Sequence, residues 1–225
     1  MNIHTCERVA GRPVGNLPAV LLLDRQRHAW QLTAPTEGRP LESCDLVVAA
    51  HRQSPGRSSF ANTSNAFYRA WRDIEAECNS CSIGLIAAAG DGAEAAGRVI
   101  SEGVAVGPLP GAIALIRFDA AFFALCRQLS GSLPEPPLTA DWRSRDTGGS
   151  SVFEWPPMMV FLPDGDPAVL PCARACRGLR AIGVPICLEI VPSVDWTDAA
   201  ICQELRAELD RFFGAHLIPA FPKLL

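Results

Sequence analysis

The sequence predicts a three-layer α/β sandwich, a mostly parallel sheet covered by helices on both sides, with an N-terminal β-hairpin at one edge. Three observations predict it. After residue 45, short apolar runs alternate with segments of helical period. Those runs are apolar on successive residues, as strands buried on both faces are. Finally, 225 residues with 48% hydrophobic and 20% charged side chains suit one globular domain with a sizeable core.

Each element follows from its own residues. The hairpin is an apolar run at 19–23, a polar stretch at 24–28 and an alternating run at 29–33. Pro35, Gly38 and Pro40 then break the chain. A strand at 46–50 leads through a polar loop to a helix at 66–78, where Phe67, Ala70, Trp71, Ile74 and Cys78 share a face and Ser64 or Asn65 caps. A strand at 82–89 turns at Gly90, Asp91 and Gly92 into a short helix at 93–102. Gly107, Pro108 and Pro110 interrupt the way to a third strand at 112–118. A helix at 120–129 follows, burying Phe122, Phe123, Cys126 and Leu129.

Residues 130–157 are rich in proline and glycine and read as a lid, an inter-lobe linker or a long loop. A strand at 158–162 follows. Asp166 and Pro167 open a helix with proline at its first position, carrying Val169, Cys172, Ala173, Cys176 and Leu179, and Gly183 stops it. A strand at 185–191 precedes a last helix, capped by Asp195 or Thr197 and ended by Gly214, with Ile201, Leu205, Leu209, Phe212 and Phe213 as its stripe. The expected unit is a single domain over 1–225, with lobes 1–130 and 158–225 joined by 131–157.

Composition excludes several functions. No apolar run approaches the roughly 18–20 residues of a membrane span. The first residues lack a basic stretch followed by an apolar core, so the expected location is cytoplasmic. A net charge of −4 without a basic tract argues against nucleic acid. The nine cysteines are odd in number and mostly sit in apolar runs, Cys126 and Cys187 among them, where they act as small hydrophobes. Cys78 and Cys81 with Cys172 and Cys176 have the spacing of two thiolate pairs, but core packing explains them better than a metal, and no metal site is expected. Lys223 is the only lysine, which removes Schiff-base and P-loop lysine chemistry.

In open α/β sheets, ligands bind outside the carboxyl ends of the strands. Those ends supply the candidate residues. The loop from His51 to Ser59 offers an imidazole and two guanidiniums, and arginine forks suit phosphate or carboxylate. Gly90-Asp91-Gly92-Ala93-Glu94-Ala95 matches G-x-G-x-x-A between a strand and a helix, and Asp119 ends the next strand where a ribose-binding acid would stand. There is no G-x-S-x-G and no H-E-x-x-H. His51 is the one histidine at an expected strand end, so His51 with Asp91 or Asp119 forms the candidate acid/base set.

Two functions are therefore expected. One is binding of a small anionic ligand, nucleotide or phosphorylated, at the strand ends. Arg52, Arg57 and Ser58 would hold the anion, Gly90 and Gly92 would lend backbone amides, and acid/base chemistry would use His51, Asp91 and Asp119. The other is a non-catalytic interaction subunit using the Trp-rich loop 140–157, where Trp142 and Trp155 would contact a protein partner or a second copy. The sequence names no cofactor.

Overall fold

The computed structural model describes residues 6–10, 19–24, 45–51, 60–77, 83–106, 109–132, 154–192 and 199–217. Seven strands run in chain order: β1 (Cys6–Ala10), β2 (Ala19–Asp24), β3 (Asp45–His51), β4 (Ile83–Ala88), β5 (Ala112–Ile116), β6 (Met158–Pro163) and β7 (Ile186–Val191). The helices are α1 (Phe60–Glu77), α2 (Asp91–Val106), α3 (Ala120–Ser132), α4 (Val169–Ala181) and α5 (Ala199–Leu217).

The strands form one sheet in the order β1-β3-β2-β4-β5-β6-β7. β2 through β7 are parallel to their neighbours, and β1 pairs antiparallel with β3 at the edge. This is the α/β architecture that the alternation of runs predicts. The position of residues 19–23 differs from the expected edge hairpin. They form β2, an interior strand hydrogen-bonded in parallel to β3 on one side and β4 on the other. The run Val20, Leu21, Leu22, Leu23 is apolar throughout because it is interior, not because it starts a hairpin. The expected second arm, 29–33, lies outside the described residues.

From β3 onward each crossover advances in one direction across the sheet, β3 to β4 to β5 to β6 to β7. Right-handed crossovers that advance one way place their helices on one face. That is what packs: Trp71 and Ile74 of α1, Val99 and Ile100 of α2, Phe122 and Cys126 of α3 and Cys172 and Cys176 of α4 bury Leu21, Leu85, Leu115 and Val160. The opposite face meets α5, whose Leu205, Leu209, Phe212, Phe213 and Leu217 cover Val20, Ile86, Ala114 and Phe161. Alternation along each strand sorts the two sets, as the twofold side-chain period requires.

Several boundaries shift for local reasons. α2 starts at Asp91 and continues to Val106, beyond the expected 93–102. α4 begins at Val169 rather than at Pro167, because Asp166 first makes a turn, its Oδ1 accepting the Ala168 amide at 2.7 Å. Gly183 ends that helix in the left-handed region, φ 87°, as glycine does at this position. α5 runs through Gly214 to Leu217 instead of stopping there, since Leu217 is buried against the sheet. β7 is an edge strand, so Cys187, expected as a buried small hydrophobe, is exposed. Cys126 is buried as expected, and burial pushes its thiol up to about 12.

Candidate functional site

The order of strands reverses once. β2 connects to β3 on one side, whereas the chain leaves β4 toward β5 on the other. The crevice between two such strands, at their carboxyl ends, is where open α/β sheets take ligands. At that end of β4 the chain makes its tightest turn. Ala89 and Gly90 separate the last residue of β4 from the first of α2. Gly90 has φ 85°, a conformation that side-chain-bearing residues pay for and glycine does not. The turn is fastened by its neighbours: the Ala89 amide donates to the Ile116 carbonyl at 3.1 Å, and the Glu94 amide to the Gly90 carbonyl at 2.9 Å.

Asp119 is the central polar residue. Its Oδ2 accepts the Gly90 amide at 2.8 Å, and its Oδ1 accepts the amides of Ala121 at 2.9 Å and Phe122 at 3.2 Å. One carboxylate thus caps the start of α3 and pins the β4–α2 turn, 29 residues away in sequence. Asp119 was expected as a ribose-binding or acid/base group. Both its oxygens are instead occupied by backbone donors.

Arg117 stands beside it, at the end of β5, exposed and with φ 77°. It is the one non-glycine residue with positive φ among the described residues. Its amide donates to the Phe161 carbonyl of β6 at 2.9 Å, which holds the backbone in this conformation. Strained residues of this kind gather at functional sites. Sequence reasoning missed Arg117, because nothing in its residue type signals left-handed backbone. The carboxyl end of β6 completes the rim with Asp164, Gly165 at φ 80° and Asp166.

The remaining candidates fall as follows. His51 is the last residue of β3, its backbone paired with Cys6 of β1 at the sheet edge. β2 therefore separates its strand from β4. Arg52, Arg57 and Ser58 lie outside the described residues. Asp91 is only 5% exposed in the first turn of α2, where a carboxylate is favoured by the helix dipole. Gly92 is buried in that same turn. Trp155, expected on a contact surface, is 8% exposed and belongs to the core below β6. Trp142 lies outside the described residues. Cys172 and Cys176 face each other in the core with Sγ atoms 3.9 Å apart; their shared hydrogen bond lowers Cys176, and that bond and burial raise Cys172. Cys78 and Cys81 lie outside the described residues, and no group of three or more metal-ligating side chains occurs among those described.

No family model matches the chain, and no curated protein does. Solved structures do share its fold. A hormone-sensitive lipase from a metagenome library superposes with TM-score 0.59 at 13% identity, over 94% of this chain and 86% of the lipase. A bacterial heroin esterase gives TM-score 0.56 at 16% identity, over 92% and 77%. An esterase soaked with p-nitrophenyl butyrate gives TM-score 0.61 at 12% identity, over 95% and 85%. The chain has the fold of these esterases.

The likeness corrects the expected functions. A nucleotide or phosphorylated ligand at Gly90 and Gly92 does not fit a fold shared with esterases, and the site gives the physical reason. The Gly90 amide that would meet a phosphate is taken by the Asp119 carboxylate, with Asp91 adding further negative charge nearby. The interaction-subunit reading falls with it: the neighbours are esterases, and Trp155, one of its contact residues, is a core residue. No helix among the described residues is long and apolar enough to cross a membrane.

Proposed function

We propose that this chain takes a carboxylic ester or a related neutral acyl compound at the carboxyl ends of β4, β5 and β6. The observation that carries the proposal is the Gly90 turn. It is a strand–turn–helix junction with left-handed backbone, at the point where strand order reverses, in a fold shared with esterases. In hydrolases of this architecture the reacting carbonyl is met at such a turn. The rim sets Asp119, Asp164 and Asp166 against Arg117, a balance that favours a neutral ligand over an anion. A cytoplasmic location is part of the same proposal, and the free thiols of Cys126, Cys172, Cys176 and Cys187 suit a reducing compartment.

Saturation-transfer NMR with p-nitrophenyl butyrate tests it. Saturable transfer is expected, with amide shifts at Gly90, Arg117 and Asp119, and inorganic phosphate should not compete. Absence of saturable transfer, or displacement by phosphate, defeats the ester reading.

A further inference from the structure

We infer that this chain handles its ester without forming a covalent acyl-enzyme, because the turn that would carry the nucleophile carries Gly90. The inference rests on the ester reading and names the chemistry of that same site.

The covalent route has fixed requirements. A nucleophilic oxygen or sulfur bonds to the ester carbonyl carbon, and the bond from that carbon to the alcohol oxygen breaks. A base takes the nucleophile's proton and returns it to the departing alcohol. In this architecture the nucleophile stands on the strained turn between strand and helix, and acid and histidine follow it in chain order.

The first requirement is not met at this turn. Residues 88–92 are Ala88, Ala89, Gly90, Asp91 and Gly92, with no hydroxyl or thiol among them. The one reactive group, the Asp91 carboxylate, belongs to a residue 5% exposed. His216 is the only histidine after Gly90. It lies in the last turn of α5, its ring 5.0 Å from that of Phe212. The neighbouring Phe213 and Leu217 pack over Gly84, at the amino end of β4. Gly84 and Gly90 are six residues apart along and just past a strand, which sets His216 about 20 Å from the turn.

What stands in place of a nucleophile is room. A Cβ built on Gly90 would meet no atom of the described residues within 4 Å. The backbone of the turn is therefore open to close approach by a carbonyl group, which a side chain there would block. The turn keeps the shape of a reactive site and offers a place to hold an ester, not an atom to attack it.

Three measurements on the full chain decide this. Intact mass after incubation with a fluorophosphonate probe should show no adduct, and rapid mixing with p-nitrophenyl butyrate should release no stoichiometric burst of p-nitrophenolate. A phosphonyl adduct or a burst overturns the inference and leaves the ester reading standing. Saturable, reversible binding of p-nitrophenyl butyrate is expected alongside; its absence overturns the ester reading itself. The third is Gly90→Asn, since asparagine tolerates left-handed backbone and its side chain fills the open space. With the thermal midpoint retained, ester affinity should fall by about tenfold or more. Unchanged affinity in a folded Gly90→Asn protein overturns the claim that the ester sits against this turn.

Discussion

The two ends of β4 each carry a glycine, and the two glycines answer to different physics. At Gly84 the backbone is ordinary, but a Cβ would stand 2.7 Å from Phe213 Cε1 and 2.8 Å from Leu217 Cδ1. At Gly90 a Cβ would meet none of the described residues, but the backbone sits at φ 85°. The first glycine lets α5 lie against the sheet. The second lets the chain turn sharply and leaves the turn open. The amino end of the strand is thus a packing device, and the carboxyl end is where we propose that the ligand sits.

The largest expected effect breaks the packing side of this contrast. Phe213 is fully buried, and Phe213→Ala should cost about 3–5 kcal/mol in urea denaturation. Gly84→Ala alone should cost roughly 1–3 kcal/mol, because it overpacks the same contact. The two should not add. With the ring gone, the methyl group at 84 has space, so its cost in the Phe213→Ala background should fall by about half or more. Additive costs would show that Gly84 is not a glycine for the sake of α5.

The next effect is at the other end. Asp119→Ala removes one acceptor from Gly90 and the cap from α3, and should cost about 1–2 kcal/mol. It should also raise hydrogen exchange at the Gly90 amide, more than at amides within β4. Protection at Gly90 that survives the substitution would mean that Asp119 caps α3 but does not hold the turn.

How far the sequence alone reaches differs between these ends too. Runs such as 112–116 and 158–162 are readable as buried strands because both faces of β5 and β6 are covered. Gly183 is readable as a helix stop because its reason is local. What fails is what distance decides. β2 is interior only because β3 and β4, far along the chain, close on both its sides. Cys187 is exposed because β7 is the edge strand among the described residues. α5 passes Gly214 because Leu217 finds Gly84. At the site, Gly90 and Asp119 were both visible as strand-end residues, but the hydrogen bond that joins them was not. The missing G-x-S-x-G was equally visible, and it hid the esterase fold, which does not depend on that motif.

The smallest expected effect is the most diagnostic. Arg117 holds φ 77°, and a non-glycine residue in that region costs about 1–2 kcal/mol. Its side chain is exposed, so truncation removes little packing. Glycine relieves the strain but adds freedom to the unfolded chain, worth roughly 0.5–1 kcal/mol against it. Arg117→Gly should therefore raise stability by up to about 1 kcal/mol, read as a higher urea midpoint at unchanged slope. Strain of this kind persists where a function needs the residue. Arg117 lies two residues before the Asp119 that fastens the Gly90 turn, so the same variant should bind p-nitrophenyl butyrate several-fold more weakly. A gain in stability with a loss in affinity would mark Arg117 as part of the open end of the sheet. A gain in stability with affinity unchanged would confine the ligand to the Gly90 turn itself.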